Sequence, residues 1–184
     1  LPGADADSQP VDGDERGPFV VRWDDPAAFG ALVKAAYKAA KAADPTVQVL
    51  FGAPFFNDQV IDEMALTMSK LKTDESIRVV VITGEGKSFC AGADLNWMRK
   101  QAKMDFEQNL SDANELASLM HKLDKFPKPT LALVQGAAFG GALGLICASD
   151  IAIADSRASF CLSEVKLGLI PAVISPYVVR AMGQ

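Results

Sequence analysis

The hydrophobic positions of this chain fall into short continuous runs and into longer stretches with helical spacing. Residues 79–84 and 130–134 are continuous apolar runs that are too short for helices, so they predict buried strands. Between them, residues 95–103 and 105–126 carry apolar side chains at helical spacing, and the Pro-Lys-Pro segment at 127–129 ends the second helix. This alternation of helix and strand predicts an α/β fold.

Two further elements extend the pattern on either side. Asn57 is a favoured N-cap residue and stands before a stripe of apolar side chains at helical spacing, so we expect it to begin a helix. Residues 150–154 predict another strand. The stripe consists of Val60, Ile61, Met64, Ala65, Met68 and Leu71.

The opening of the chain has a different pattern. Residues 1–18 are rich in Asp, Gly and Pro and predict a loop segment. Residues 19–23 and 47–52 predict short strands, and Pro26 stands at the first position of a helix that Asp44-Pro45 ends.

Small residues follow both central strands. The segments Ser-Phe-Cys-Ala-Gly-Ala-Asp at 88–94 and Gln-Gly-Ala-Ala-Phe-Gly-Gly at 135–141 are turns that expose backbone N–H groups. Residues 142–149 predict a short buried helix, whose N-terminus places unpaired N–H groups and positive dipole beside Gly141. Either turn alone is more often a tight turn or a close packing site. The two together predict a site that stabilises a developing anion.

These turns, followed by Leu-Ser-Glu-Val-Lys-Leu-Gly-Leu-Ile-Pro at 162–171, resemble the crotonase family, the enoyl-CoA hydratases and isomerases, over residues 56–184. Residues 94–99 and 171–179 look like those of its bacterial methylglutaconyl-CoA and isohexenylglutaconyl-CoA hydratases. The resemblance implies an α/β crotonase-like (ClpP/crotonase) core of repeated β-β-α units. It also implies that this core is incomplete at the C-terminus, because related chains continue with a helical region.

The resemblance does not include residues 1–54. The family's first β-hairpin and its Asn-Arg-Pro turn are absent there, and Gly-Ala-Pro-Phe stands at 52–55. We therefore divide the chain near residues 53–57 into a foreign or divergent segment, 1–54, and an incomplete crotonase-like core, 55–184. We expect the first segment to pack poorly on the core or to form a separate helix–strand unit.

The resemblance also implies an activity and a set of site residues. The activity is the addition of water to an α,β-unsaturated acyl-CoA such as methylglutaconyl-CoA, in leucine or isoprenoid breakdown. The resemblance assigns Ala93 and Gly141 as oxyanion donors and Glu164 as acid and base. For Asp94 a helix-capping role competes with substrate binding, and for Trp97 core packing does. The positions assigned to substrate binding are Ala91, Gly92, Asp94, Trp97, Gly140 and Gly144.

The number of glutamates at the proposed site differs from that of the best-known hydratases, which carry two. Gly144 stands at the first of these positions, so only Glu164 remains. One carboxylate can add water or shift a double bond, so an isomerase remains an alternative, as does an inactive fragment or pseudoenzyme. The small residue at 144 suggests room for a bulkier or more polar substrate. Glu164 stands in the apolar stretch 160–170, where ionised groups are seldom buried without a purpose.

The composition limits the partners and the compartment. The formal net charge is −5 and no basic cluster alternates with aromatic residues, so we expect no nucleic-acid partner. No apolar run is long enough to span a membrane, and the chain begins without the features of a signal peptide, so we expect a cytoplasmic protein without a membrane partner. The resemblance implies a homo-trimer or hexamer and no cofactor apart from the coenzyme A of the substrate.

Several reactive or charged residues have ordinary interpretations. Cys90, Cys147 and Cys161 lack metal-site spacing and predict reduced packing residues, and His121, the single histidine, predicts a solvent-facing helix position. A nucleotide-binding module is disfavoured, because neither glycine turn has a complete dinucleotide or P-loop pattern.

Four basic residues near the first turn could bind CoA phosphates or a substrate carboxylate, or could be solvated surface charges: Lys87, Arg99, Lys100 and Lys103.

Overall fold

A computed structural model describes residues 19–23, 48–52, 55–84 and 86–183 of the 184, the first two segments by their backbone. The helix expected between Pro26 and Asp44 lies outside the described residues. In chain order the elements are β1 (Phe19–Trp23), β2 (Gln48–Gly52), α1 (Asp58–Thr73), β3 (Val80–Gly84), α2 (Leu95–Gln101), α3 (Phe106–Asp124), β4 (Thr130–Val134), β5 (Ala137–Phe139), α4 (Gly141–Ala148), β6 (Ile151–Asp155), β7 (Ser159–Cys161), a 3₁₀ helix (Ser163–Leu167) and α5 (Ser175–Met182).

The strands form two sheets. The larger has the order β1-β6-β4-β3-β2, with every neighbouring pair parallel, and the smaller pairs β5 with β7, also parallel. Strands β3 and β4 are neighbours, with Val80 opposite Thr130 and Thr83 opposite Leu133. Because their carboxyl ends meet at one edge, the two small-residue turns leave the sheet side by side, as the sequence predicts.

The two strands of the N-terminal segment belong to the larger sheet. β1 pairs along its whole length with β6, and β2 pairs along its whole length with β3, so they form the two edges of the sheet. The expectation of a separate helix–strand unit is therefore wrong for these two strands. The unpaired backbone N–H and C=O groups along β6 and β3 pair with them instead. The domain boundary near residues 53–57 stays a prediction.

The helices bury the faces that the sequence predicts. The Asn57 side chain caps α1 by accepting a hydrogen bond from the Val60 N–H at 2.9 Å. Asp105 and Gln108 form a capping box at the start of α3. Helix α4 is buried at every position after Gly141, as expected for an all-apolar helix. The core joins α1, α3 and α4 to the large sheet through residues such as Ile61, Met68, Val80, Ile82, Leu119, Met120, Leu123 and Leu145.

The second half of the described chain contains elements that the sequence pattern did not predict. These are β5, β7, the 3₁₀ helix and α5, none of them longer than eight residues. Among the described residues, no helix combines the length and the apolar character that crossing a membrane requires.

Candidate functional site

Backbone hydrogen bonds join the two small-residue turns. The Phe89 N–H donates to the Gln135 carbonyl at 2.7 Å, and the Cys90 N–H donates to the Ala137 carbonyl at 3.0 Å. In return the Phe139 N–H donates to the Cys90 carbonyl at 2.9 Å. The first turn therefore lies alongside β5 like a short extra strand, which gives both turns one rigid backbone frame.

The start of the second turn requires its glycine. Gly136 has a φ of 58°, and a Cβ at this position would overlap the Lys87 carbonyl oxygen. The neighbouring Gln135 side chain donates from Nε2 to the Gly84 carbonyl at 2.6 Å, across the end of β3. This side chain joins the start of the second turn to the end of β3, and the sequence pattern contained no signal for it.

Phe56 holds the segment around Ala93. Its N–H donates to the Gly92 carbonyl at 2.8 Å, and its carbonyl accepts from the Asp94 N–H at 2.7 Å. In a parallel bridge of this kind, the N–H of the residue between the two bonds faces away from the partner. The Ala93 N–H thus faces away from Phe56 and has no acceptor within the described part of the chain.

Gly141 supplies the second candidate donor. It is the first residue of α4, so its N–H has no partner inside the helix, and no other described residue accepts it. A Cβ at Gly141 would lie 3.5 Å from the Phe56 ring. Phe56 therefore contacts both turns, through its backbone at Ala93 and through its ring at Gly141. That the two amides converge on one acceptor stays a prediction.

The Glu164 carboxylate lies against the second turn. A Cβ at Gly140 would be 3.1 Å from Glu164 Oε1 and 3.4 Å from its Cδ. Gly140 has a φ of 58°, and its N–H donates to the Cys161 carbonyl at 2.9 Å, just before the 3₁₀ helix that carries Glu164. Glycine is needed here for its backbone angle and because the carboxylate occupies the space beside its α-carbon.

Glu164 Oε2 is buried and has no hydrogen-bond partner among the described residues. Several apolar side chains of the surrounding stretch 160–170 are nevertheless exposed, among them Val165, Leu167, Leu169 and Ile170. Within this stretch, Leu162 packs against the core and the Glu164 carboxylate is also directed inward. An unpartnered buried carboxylate oxygen is costly for stability, which indicates a position kept for chemistry.

Gly144 lies one helical turn beyond Gly140 and is fully buried. A Cβ here would lie within 3.0 Å of Ile174 Cγ2 and 2.9 Å from Met120 Sδ. The expectation that this glycine leaves room for a bulkier substrate is wrong, because Ile174 and Met120 fill that room. Its assignment to substrate binding has no support from this packing, which places other side chains next to its α-carbon.

The other predicted positions lie at the start of α2. The Asp94 side chain accepts from the Asn96 N–H at 2.6 Å and from the Trp97 N–H at 3.3 Å, which confirms its capping role. Trp97 is half-buried against the core, and its indole Nε1 is buried without an acceptor among the described residues. Ala91 is half-buried, and Gly92, with a φ of 114°, is buried, with Phe139 Cβ 4.0 Å from where its own Cβ would be.

Three of the four basic residues line an open groove of about 430 Å³ next to α2. Lys100 forms a 3.4 Å ion pair with Asp58, and the Arg99 guanidinium donates to Asn96 Oδ1 at 3.0 Å. Lys87 is exposed and does not line the groove. The groove is lined by Asn96, Arg99, Lys100, Lys103 and Met104.

The cysteines are free thiols and the histidine faces solvent, as the sequence predicts. All three thiols are free, and burial raises the pKa of Cys90 and, against the opposing charge of Arg180, raises the pKa of Cys147 to about 11. His121 is exposed on α3. Within residues 55–84 and 86–183, no group of three or more His, Cys, Asp or Glu side chains could hold a metal ion.

Comparison with known proteins gives a consistent result. Residues 52–184 match the enoyl-CoA hydratase/isomerase family. The crystal structure of an enoyl-CoA hydratase from Shewanella pealeana superposes with a TM-score of 0.73 at 65% identity, covering 76% of this chain and 54% of that one. The enoyl-CoA hydratase ACTT6 of Alternaria alternata is 38% identical over 146 residues, which are 75% of this chain and 46% of that protein.

A relative with another named activity also matches. The 1,2-epoxyphenylacetyl-CoA isomerase of Escherichia coli is 35% identical over 117 residues, which cover 63% of this chain and 45% of that protein. The chain thus spans about half the length of the relatives that it matches. The neighbouring structures establish a crotonase-type α/β fold, and the match over residues 52–184 shows that this chain belongs to the enoyl-CoA hydratase/isomerase family.

Proposed function

We propose that this chain carries the catalytic centre of a hydratase that adds water across the α,β double bond of an acyl-CoA thioester. The observation that supports this most is the contact of the Glu164 carboxylate with Gly140, one residue before the amide that begins α4. An acid–base group and an anion-stabilising helix terminus thus lie side by side.

In this proposal the thioester oxygen accepts hydrogen bonds from the Ala93 and Gly141 amides. As water adds to the β-carbon, negative charge moves onto that oxygen, and donors already in position stabilise the resulting enolate. One such donor is typically worth about 3–4 kcal/mol. The frame formed by Phe56 and the two hydrogen-bonded turns favours this role, because it leaves neither amide free to reorient.

Glu164 would handle both protons in turn. It removes a proton from the attacking water as the C–O bond forms, and it then donates a proton to the α-carbon as the enolate collapses to the hydrated thioester. The sum is addition of one water molecule, and the carboxylate ends as it began. The buried, unpartnered Oε2 is a suitable acceptor for the water proton.

The more specific substrate is also a proposal. The sequences of residues 94–99 and 171–179, which resemble those of methylglutaconyl-CoA hydratases, support a branched, acidic acyl group such as that of methylglutaconyl-CoA, within leucine or isoprenoid breakdown. Arg99, Lys100 and Lys103 beside the groove offer positive charge for a substrate carboxylate or for CoA phosphates. A cytoplasmic homo-trimer or hexamer without a separate cofactor completes the proposal.

A second candidate is an isomerase that moves the double bond. The single carboxylate supports it, because proton removal from one carbon and return to another needs only one group. The similarity to a 1,2-epoxyphenylacetyl-CoA isomerase is compatible with either reaction. Hydration and double-bond shift must therefore be measured separately, with crotonyl-CoA and methylglutaconyl-CoA.

The sharpest test removes one amide proton. Gly141 is the first residue of α4, where proline is well tolerated, so Gly141→Pro removes the proposed donor without breaking the helix. Gly141→Ala is the matched control, since it keeps the N–H and its Cβ makes an ordinary 3.5 Å contact with Phe56. We expect Gly141→Pro to turn over about 10²–10³-fold more slowly than Gly141→Ala.

Both variants should retain a cooperative unfolding transition near that of the parent. Equal turnover by folded Gly141→Pro and Gly141→Ala would refute the oxyanion assignment. A parent chain that binds acyl-CoA but neither hydrates it nor moves its double bond would instead be an inactive relative, and the proposed activity would be wrong.

A further inference from the structure

The side chain of Ile174 occupies the space beside Gly144. Gly140 is the N-cap residue of α4, and Gly144 lies four residues later inside the helix. The Glu164 carboxylate lies beside Gly140, and Ile174 Cγ2 lies beside Gly144, within 3.0 Å of where a Cβ would be. The carboxylate and the methyl group therefore both lie beside the short segment 140–144, one at each end.

This geometry decides where a longer side chain at position 144 would go. Helical Cα–Cβ bonds tilt toward the N-terminus, so a side chain at 144 would extend toward Glu164. Ile174 prevents this, because it is 2% exposed and carries the methyl that a Cβ would meet first. Met120 also lies close, but through the end of a flexible side chain that can move away.

The backbone holds Ile174 in place. It is the N-cap residue of α5, with its N–H donating to the Pro171 carbonyl at 3.2 Å and its own carbonyl accepting from the Val178 N–H at 3.0 Å. Because it is β-branched, its two γ carbons cannot both leave the Gly144 side by a small rotation.

We propose that Ile174 is a specificity-determining residue that restricts this site to a single carboxylate. It fills the space into which a second acid on α4 would project. Gly144 is then required by Ile174 rather than by the substrate. The inference rests on the proposed function for its chemical meaning, but its steric part does not depend on any substrate.

A stability cycle tests the steric part in the whole chain. Gly144→Ala should lower the melting midpoint by roughly 5 °C, because its Cβ meets Ile174. In an Ile174→Ala background the same change should cost almost nothing. Ile174→Val is the matched control, since it keeps the γ methyl and shortens only the far end, and there the full penalty should persist. If Gly144→Ala lowers the melting midpoint equally in the parent and in the Ile174→Ala background, the proposal is overturned.

A second experiment tests the chemical part in the Glu164→Gln background, where hydration of an enoyl-CoA should be nearly lost. Adding Gly144→Glu together with Ile174→Ala should raise the residual rate about tenfold or more. Gly144→Glu with Ile174→Val should give no gain. If Gly144→Glu with Ile174→Ala folds and its hydration rate does not rise either, Ile174 is not what prevents a second catalytic carboxylate at this site.

The two experiments separate failure of this inference from failure of the proposed function. If the parent hydrates no enoyl-CoA, the proposed function is wrong, while the stability cycle still decides whether Ile174 excludes a side chain at 144. If the parent is active and the effects of Gly144→Ala and Ile174→Ala on the melting midpoint simply add, only the proposed role of Ile174 is wrong.

Discussion

Replacing Glu164 by glutamine should abolish most turnover without lowering stability. Glutamine keeps the size of the side chain but cannot accept the water proton. The carboxylate that it replaces has one buried oxygen, Oε2, without a hydrogen-bond partner among the described residues, and its other oxygen faces the α-carbon of Gly140. The folded state therefore gains little from the negative charge.

The two expected magnitudes can be derived separately. Loss of a general acid–base group typically slows a reaction by about 10²–10⁴, which corresponds to roughly 2.7–5.5 kcal/mol of transition-state stabilisation. An unpartnered buried polar group costs about 1–3 kcal/mol, and more when it is charged. Because Glu164→Gln replaces the charged group by a neutral one, the free energy of unfolding should stay within about 1 kcal/mol of the parent or rise.

The measurement combines steady-state hydration of crotonyl-CoA and methylglutaconyl-CoA with urea unfolding of the same samples. Glu115→Gln is the matched control, because it makes the same chemical change on the exposed face of α3. It should alter neither turnover nor the unfolding midpoint. The opposite pattern for Glu164→Gln, a lower unfolding free energy with unchanged turnover, would show that Glu164 is a structural residue and would refute the reasoning.

Two further predictions concern the frame of the site, and a third concerns an ion pair between α3 and α5. Phe56→Ala removes a buried ring that contacts Gly141 and should lower the free energy of unfolding by about 3–5 kcal/mol together with turnover, whereas Phe106→Ala, at a 74% exposed position, should be nearly neutral in urea unfolding. Asp94→Ala should cost about 1 kcal/mol through the lost cap, and Asp94→Asn should keep both stability and kcat; a large loss of kcat in Asp94→Asn would make it a proton-transfer group. For Asp124, burial raises the pKa but hydrogen bonds and charge from Arg180 and Lys125 outweigh it, so the pKa is lowered. Its stabilisation is then present above the ordinary carboxyl range and is lost as the pH falls through the lowered pKa, so Asp124→Asn should cost about 1–3 kcal/mol at pH 7 in urea unfolding, and this difference should shrink below about pH 4.

Local patterns sufficed for the elements that have a strong period or a strong cap. The stripe behind Asn57, the short apolar runs of β3 and β4, and the all-apolar α4 are each consistent with only one structure, because their hydrophobic faces must be buried. Helices α2 and α3 were also predictable, although they end at Gln101 and Asp124, slightly before their predicted ends.

The resemblance of the two turns to a known family also located the candidate site. Parallel neighbours β3 and β4 bring the turns together, and this follows from strand order once both strands are known. The sequence alone therefore determined which backbone amides and which glutamate to consider.

Only the tertiary structure decided what surrounds them. Phe56 contacts both turns, the Gln135 side chain ties the second turn to the end of β3, and neither residue stands in a pattern that signals this. Likewise Ile174, not a substrate, fills the space beside Gly144, and the apolar stretch around Glu164 is exposed while its carboxylate is buried. The physical reason is the same throughout: periodicity and capping are local properties of the chain, whereas the filling of a space and the pairing of a buried atom depend on which distant residues the fold brings together.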